Sequence, residues 1–152
     1  TQDLLRRQNP DVLLLAGVGL VRPPIIEIAA RGVLNAHPGI VPRYRGNYVV
    51  RWALLNGDPV GIPVHLVDSG IDTGPVLSIT PVDLPASRSL FELEKAAEAH
   101  RAEALAQTAK EFINGQRVPQ PQSDEGSYPV YSLMPLPELL RTYRALLTGH
   151  RV

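Results

Sequence analysis

The sequence predicts an α/β fold, and three patterns indicate this class. Residues 11–15 form a short, nearly all-apolar run, which is typical of a strand buried on both faces. A helical segment and a second apolar strand follow within about 25 residues, and such a strand–helix–strand unit joins parallel strands. Residues 62–67 and 76–82 then read as the two strands of a hairpin, ahead of one long helix.

The first elements are bounded by turn-forming residues. Residues 1–8 read as the end of a helix that leads into the first strand. Pro23 suits the first turn of a helix, which we predict to continue to Ala30. Gly32 should end that helix, and residues 33–35 should form the next strand.

A short helix is predicted between this strand and the hairpin. Asn47 is the expected N-cap of a helix over residues 48–55, which the Asn56-Gly57 pair should close. A glycine-rich loop separates the two hairpin strands.

The longest predicted helix begins at a capping box, Ser89 to Glu92, and ends near Gly115. Its apolar face follows helical spacing and comprises Leu90, Leu93, Ala97, Ala104, Leu105, Thr108 and Phe112. A polar stretch and a short helix at 136–147 follow. We therefore divide the chain into a domain at 1–115 and a linker with a terminal helix at 116–152.

The composition limits the possible partners. The chain has 152 residues, enough for one domain with its own core, and 15 basic residues balance 15 acidic ones. This balance argues against a nucleic-acid or membrane surface. The absence of cysteine excludes disulfides and thiolate metal sites, and there is no long apolar run or signal sequence. We expect a cytoplasmic protein.

Three polar side chains follow apolar strands and form the candidate catalytic group. Asn35 and His37 are two residues apart, so on an extended backbone they face the same way. Asp72 comes from the glycine-rich loop. An amide and a protonated imidazole can donate to the oxygen of a tetrahedral intermediate, while a carboxylate can keep the imidazole charged or move a proton.

These residues also carry a family resemblance. The motifs are Asn-x-His-Pro at 35–38, Pro-x-x-x-Gly at 42–46 and Asp-x-Gly-x-Asp-Thr-Gly-Pro at 68–75. In this order they resemble the folate-dependent formyltransferases, which act on methionyl-tRNA, glycinamide ribonucleotide or amino sugars, together with formyltetrahydrofolate hydrolase. The resemblance extends over about residues 1–115.

The resemblance implies a fold and a site. The fold would be the second half of a doubly wound, Rossmann-like formyltransferase domain, with a mixed sheet whose first strands precede Thr1 and whose Ile62 strand is antiparallel. Such a piece should be less stable alone than a complete domain. Catalysis would belong to Asn35, His37 and Asp72, and relatives suggest a cis Val41-Pro42 bond. The donor 10-formyltetrahydrofolate would be bound, without a metal, by Val18, Gly19, Leu20, Val21, Arg22, Val67, Asp68, Ser69, Gly70, Ile71 and Asp72.

Several positions leave alternatives open. Gly39 stands where many relatives have Ser, and Arg22 where they often have an apolar residue. We interpret His65 as a structural strand residue and Thr73 as a residue that shapes its loop. The arginines at 43, 45 and 51 could clamp an acceptor phosphate or be solvated. The long helix should serve packing alone.

The predicted activity is transfer of the formyl group to a primary amine of a small acceptor, such as an amino sugar nucleotide. Methionyl-tRNA is an alternative acceptor, and water would make the protein a hydrolase. A non-catalytic folate-binding fragment is the alternative from another class. The sequence does not indicate an oligomeric state.

Overall fold

The computed structural model describes residues 2–15, 17–123 and 127–148. Its elements in chain order are α1 (Gln2–Gln8), β1 (Leu13–Leu15), α2 (Pro23–Ile26), β2 (Val33–Ala36), β3 (Arg45–Gly46), α3 (Val49–Leu55), β4 (Gly61–Leu66), β5 (Val76–Pro81), α4 (Leu90–Ile113), β6 (Val130–Tyr131) and α5 (Leu136–Thr148). Thr1 and parts of the predicted loop and linker, at 16 and 124–126, lie outside the described residues.

The main sheet has four strands in the order β1-β2-β4-β5. Strands β1 and β2 are parallel, while β4 runs antiparallel to both β2 and β5. This confirms the predicted α/β class, the parallel pair, the hairpin and the antiparallel strand at Ile62. The arrangement places the end of β2 beside the middle of β4.

The core lies where α4 packs against the sheet, with α3 packed beside α4. Strands β2 and β4 are almost completely buried, and every residue of the predicted apolar face of α4 is buried. The N-terminus of α4 is capped as predicted, since the Ser89 side chain accepts a hydrogen bond from the Glu92 amide. Its C-terminus reaches Asn114, and Gly115 adopts a positive φ of 74°.

The prediction of Asn47 as an N-cap is wrong. Helix α3 begins at Val49, and its N-cap is Tyr48, which has a left-handed backbone with φ of 56°. The Asn47 amide instead donates to the Tyr131 carbonyl at 2.9 Å. The chain is therefore turned by a tertiary hydrogen bond rather than by a side-chain cap. Helix α2 is also shorter than predicted, since it ends at Ile26.

A second, two-stranded sheet was not predicted. Strands β3 and β6 pair in parallel, with Arg45 opposite Val130 and Gly46 opposite Tyr131. Gly46 has φ of 98°, and a Cβ atom there would overlap the Tyr131 carbonyl oxygen, so the close approach requires glycine. The pairing brings the segment after α4 back to the edge of the predicted site.

Residues before and after the polar stretch, at 120 and 131, are held to the rest of the chain by further contacts. Gln120 exchanges both backbone hydrogen bonds with Val76, at 2.7 and 2.8 Å. The Tyr131 ring stacks on Tyr44 and also contacts Trp52. The domain boundary after Gly115 stays a prediction. Within the described ranges, no helix is both long and apolar enough to cross a bilayer.

Candidate active site

Asn35 and His37 lie at the end of β2, where the strand leaves the buried sheet. The register places Asn35 opposite His65 on β4, and the His37 amide continues the pairing by donating to the Pro63 carbonyl at 3.0 Å. The alternation of a strand aims the two side chains in the same direction, as the sequence predicted. Both therefore face the loop that connects β4 and β5.

Asp72 meets them from that loop. One carboxylate oxygen, Oδ2, lies 3.5 Å from His37 Nδ1 and accepts a hydrogen bond from the Gly46 amide at 2.9 Å. The other, Oδ1, lies 3.5 Å from Asn35 Nδ2 and 3.4 Å from His65 Nε2. The structure thus brings together all three side chains that the sequence singled out.

His37 is held by its two ring nitrogens. Nε2 lies 2.7 Å from the carbonyl oxygen of Tyr44, and because a carbonyl can only accept, Nε2 carries a hydrogen. Nδ1 therefore faces Asp72. Only 5 % of the His37 surface is exposed, so the ring has little room to turn away from this orientation.

Burial lowers the pKa of His37 below its ordinary value, although the Asp72 carboxylate and the Tyr44 carbonyl act to raise it. Asp72 thus acts on the pKa of His37 in the expected direction, but burial outweighs it. Burial also acts to raise the pKa of Asp72, but the hydrogen bond with His65, the charge of His37 and the Gly46 amide together lower it below its usual value. The carboxylate is ionised at neutral pH.

Both shifts make acid destabilising, which gives a testable prediction. The unfolded chain protonates His37 near the ordinary pKa of 6.5, before the folded chain does, so the free energy of unfolding falls as pH drops through that value. The stability that Asp72 contributes is present above its ordinary pKa of 3.8 and is lost as pH falls through its lowered folded value. We therefore expect His37→Asn to flatten the dependence of the melting temperature on pH between about pH 7.5 and 5.5.

His100→Asn, half-buried on α4 and outside the pocket, is the matched control for the loss of an imidazole. Equal slopes for the wild type and His37→Asn would show that burial of the imidazole does not govern this pH window.

His65 lies inside the cluster, although the sequence indicated only a structural strand residue. Its Nδ1 lies 2.8 Å from the Leu66 carbonyl oxygen, and its Nε2 lies 3.3 Å from Asn35 Nδ2 and 3.4 Å from Asp72 Oδ1. The ring is buried and lies between the Asn35 amide and the Asp72 carboxylate. The strand register would have revealed this neighbour, since His65 pairs directly with Asn35.

A pocket of about 480 Å³ opens above these side chains. It is lined by every residue predicted to bind the formyl donor except Arg22, which instead precedes α2 as its N-cap. Helix α4, predicted to serve packing alone, contributes Glu98 and Arg101 to the wall. Arg101 Nε donates to the Ala36 carbonyl at 3.0 Å, and its Nη1 pairs with both carboxylate oxygens of Glu98.

The loop that bears Asp72 is shaped by its own side chains. Asp68 Oδ1 accepts from the Gly70 amide at 3.0 Å and from the Thr73 hydroxyl at 2.6 Å. The loop-shaping role predicted for Thr73 fits this geometry. A Cβ atom at Gly74 would overlap the Leu66 carbonyl oxygen. The loop therefore passes close against β4, and Asp72 itself adopts a positive φ of 51°.

The nearby arginines are already paired with side chains. Arg43 contacts Asp58 at 2.8 Å, Arg51 contacts Glu94 at 2.7 Å, and Arg45 Nη2 donates to Gln122 Oε1 at 2.6 Å. These contacts favour structural roles over a phosphate clamp. The Val41-Pro42 bond is cis, as expected, and no group of described residues is arranged to hold a metal ion.

The cluster can act on a carbonyl group. Asn35 offers amide hydrogens, His37 offers a ring nitrogen that can gain a proton, and Asp72 offers an ionised acceptor. All three meet in one part-buried space at the end of a strand, where ligands of open α/β sheets usually bind. Donors aimed at a developing oxyanion in such a space are worth more than in water.

Comparison with known proteins identifies the family of this chain. Residues 1–109 match the formyl transferase family. A curated methionyl-tRNA formyltransferase from Chromobacterium violaceum is 36% identical over 127 residues, which is 82% of this chain and 41% of that protein. The chain therefore spans about two fifths of the length of this relative.

Solved structures share the fold. Glycinamide ribonucleotide transformylase 1 from Symbiobacterium toebii is 28% identical with a TM-score of 0.67, over 75% of this chain and 55% of that chain. The formyltransferase PseJ from Anoxybacillus kamchatkensis, solved with UDP-4,6-dideoxy-4-formamido-L-AltNAc and tetrahydrofolate, is 21% identical with a TM-score of 0.66, over 80% and 64% of the two chains. The predicted Rossmann-like fold is confirmed. With 109 of its residues matched to the family, the chain belongs to the formyl transferases.

Proposed function

We propose that this chain carries the catalytic site of a folate-dependent N-formyltransferase, which moves the formyl group of 10-formyltetrahydrofolate to a primary amine. The observation that carries the proposal is the convergence of Asn35, His37 and Asp72 around one space at the base of the pocket, within 3.5 Å of the Asp72 carboxylate. Membership of the formyl transferase family supports it.

The residues suit each step of the transfer. The amine nitrogen attacks the formyl carbon, and the carbonyl oxygen becomes an oxyanion that accepts from Asn35 Nδ2. The attacking amine loses a proton to Asp72, and Asp72 passes this proton to the adjacent His37 Nδ1. That nitrogen then donates to the oxyanion or, through a water, to the leaving N10 as the carbon–N10 bond breaks. Because the pKa of His37 is lowered, the imidazole is neutral at rest and gives up readily a proton that it gains during the reaction.

The donor would lie across two loops of the pocket. The pterin is flat and rich in hydrogen-bonding groups, so it can be read by main-chain amides and carbonyls. The segment from Val18 to Val21 and the loop from Val67 to Asp72 both line the pocket and could supply such groups. Val18 and Leu20 are exposed there and could cover an aromatic ring.

A small amine is the acceptor that we favour. The three arginines near the site already hold side-chain partners, and the basic and acidic residues of the chain balance, which argues against strong electrostatic attraction of tRNA. Methionyl-tRNA is the second candidate, because curated relatives such as the one from Chromobacterium violaceum are methionyl-tRNA formyltransferases.

The experiment is a transfer assay with donor labelled in the formyl group. The full-length protein is incubated with labelled 10-formyltetrahydrofolate and, separately, with an amino sugar nucleotide, glycinamide ribonucleotide or methionyl-tRNA. We expect the label on the amine of a small acceptor. Label on methionyl-tRNA alone would favour the second candidate, and labelled formate formed without any amine would indicate a hydrolase. Tetrahydrofolate binding with no label released in any arm would refute catalysis.

A further inference from the structure

The segment after α4 reaches the catalytic loop through one side chain, Gln122. This residue lies beyond residues 1–109, the part that matches the family. The backbone of the segment is fixed beside β5 by the paired hydrogen bonds between Gln120 and Val76, at 2.7 and 2.8 Å. Gln122 is therefore presented to the loop by an ordered strand-like stretch.

Both the nitrogen and the oxygen of the Gln122 side-chain amide form hydrogen bonds. Nε2 donates to the carbonyl of Asp72 and to the carbonyl of Gly74, each at 2.8 Å. Oε1 accepts from Arg45 Nη2 at 2.6 Å and from Nε at 3.2 Å. One part-buried amide therefore connects the backbone of the loop to the guanidinium of Arg45.

Arg45 links Gln122 to the peptide group that binds the Asp72 carboxylate. It precedes Gly46, whose amide donates to Asp72 Oδ2 at 2.9 Å. The same Oδ2 is the oxygen that faces His37 Nδ1. The backbone of Asp72 and the donor that orients its carboxylate are thus both connected to Gln122.

The backbone conformation of Asp72 gives these contacts a purpose. Its φ of 51° is in the left-handed region, which Asp adopts more readily than most residues but less readily than glycine. A non-glycine residue stays there when its surroundings fix it. The two hydrogen bonds from Gln122 bracket this residue, since they fall on the carbonyls at 72 and 74.

We propose that Gln122 is a positioning residue, which together with Arg45 holds the Asp72 carboxylate against His37. The segment after Gly115 would then be part of the catalytic unit and not merely a linker. The proposal rests on the function proposed above, because it takes Asp72 as the carboxylate that receives the proton.

The decisive variant is Gln122→Met, which keeps the side-chain length but removes both kinds of hydrogen bond. We expect kcat to fall by about 10- to 100-fold, as small displacements of a catalytic group do, while the KM for the formyl donor changes far less. Gln122→Glu keeps an oxygen for Arg45 but turns a carboxylate oxygen toward the two carbonyls, so its kcat should be at least as low. Gln120→Met, on the same segment with an exposed side chain, should keep the wild-type kcat.

A double-mutant cycle with Arg45→Met tests the connection. If both residues position Asp72 through their shared hydrogen bonds, the kcat of the double variant should be little lower than that of either single variant. Independent, multiplying losses, or a wild-type kcat in Gln122→Met, would overturn the proposal.

A measurement without substrate separates this proposal from the proposed function. The groups that act on His37 are the Asp72 carboxylate, the Tyr44 carbonyl, His65 and Arg101. Because Asp72 raises the pKa of His37, loosening the carboxylate should lower that pKa further in Gln122→Met and Gln122→Glu, as followed by NMR titration. An unchanged His37 titration in folded Gln122→Met would overturn the positioning role of Gln122 even if formyl transfer is observed. A shifted His37 titration in a protein without transfer activity would support the positioning role of Gln122 and refute only the proposed formyl transfer.

Discussion

Replacing Asp72 by Asn should reduce kcat/KM by about 100- to 10,000-fold, the range that general acid–base groups contribute. The substitution keeps the shape of the side chain, and an amide oxygen can still accept from Gly46. It removes the charge that receives the amine proton and that opposes the lowering of the His37 pKa. Steady-state kinetics of formyl transfer, with tetrahydrofolate affinity measured in parallel, check the effect. Affinity should change far less than kcat, since the loop backbone is kept.

Asp83→Asn is the matched control, because Asp83 is an exposed carboxylate outside the pocket. It should leave kcat at the wild-type value. A near-wild-type rate in Asp72→Asn would remove Asp72 from the proton path and with it the mechanism proposed above.

Replacing Asn35 by Ala should reduce kcat by about 100- to 1,000-fold, the loss observed when one oxyanion donor is removed. The side chain lies on β2 and its Nδ2 points between His65 Nε2 and Asp72 Oδ1, at 3.3 and 3.5 Å. A formyl oxygen that develops negative charge in this space can draw the same hydrogens. Because the interaction forms in the transition state, kcat should fall while the KM for the donor stays close to the wild-type value.

Asn114→Ala, at the exposed end of α4, controls for the loss of an asparagine amide elsewhere in the chain. Thermal melts of both variants separate a folding defect from a catalytic one. If the Asn35→Ala protein is folded and turns over at the wild-type rate, Asn35 is not the oxyanion donor.

Much of the fold could be predicted from the sequence because local signals coincide with the tertiary structure. The capping box at Ser89 and the glycine at 115 bound α4 closely, since a helix of this length carries its own start and stop signals. The hairpin was also confirmed, because the glycine-rich loop lies between two apolar runs. Helix α2 was predicted too long, and its apolar residues after Ile26 instead form turns that lead into Gly32.

The errors fall where long-range backbone contacts decide the conformation. Tyr48 adopts a left-handed backbone that no local pattern indicates, next to an Asn47 amide bound by Tyr131 far along the chain. The pairing of β3 with β6 has two residues on each side, which is too short to give a periodic signal. Such features depend on the segment after α4, in which the sequence indicated only a linker and a terminal helix.

The site was predicted in its side chains but not in its surroundings. The three motifs sufficed to select Asn35, His37 and Asp72, and their convergence is now observed, whereas their roles remain proposals. The contact of His37 with the Tyr44 carbonyl could not be predicted, since carbonyl groups carry no sequence signal. The lowered pKa of His37 likewise depends on burial, which the motif does not reveal.

The most direct test is a crystal structure of the protein with a 10-formyltetrahydrofolate analogue that cannot transfer its formyl group. The account predicts the pterin between the segment at 18–21 and the loop at 67–72, with the formyl oxygen within hydrogen-bonding distance of Asn35 Nδ2 and the formyl carbon facing Asp72. An analogue bound outside this pocket, or with its formyl group pointing away from Asn35 and His37, would contradict the account.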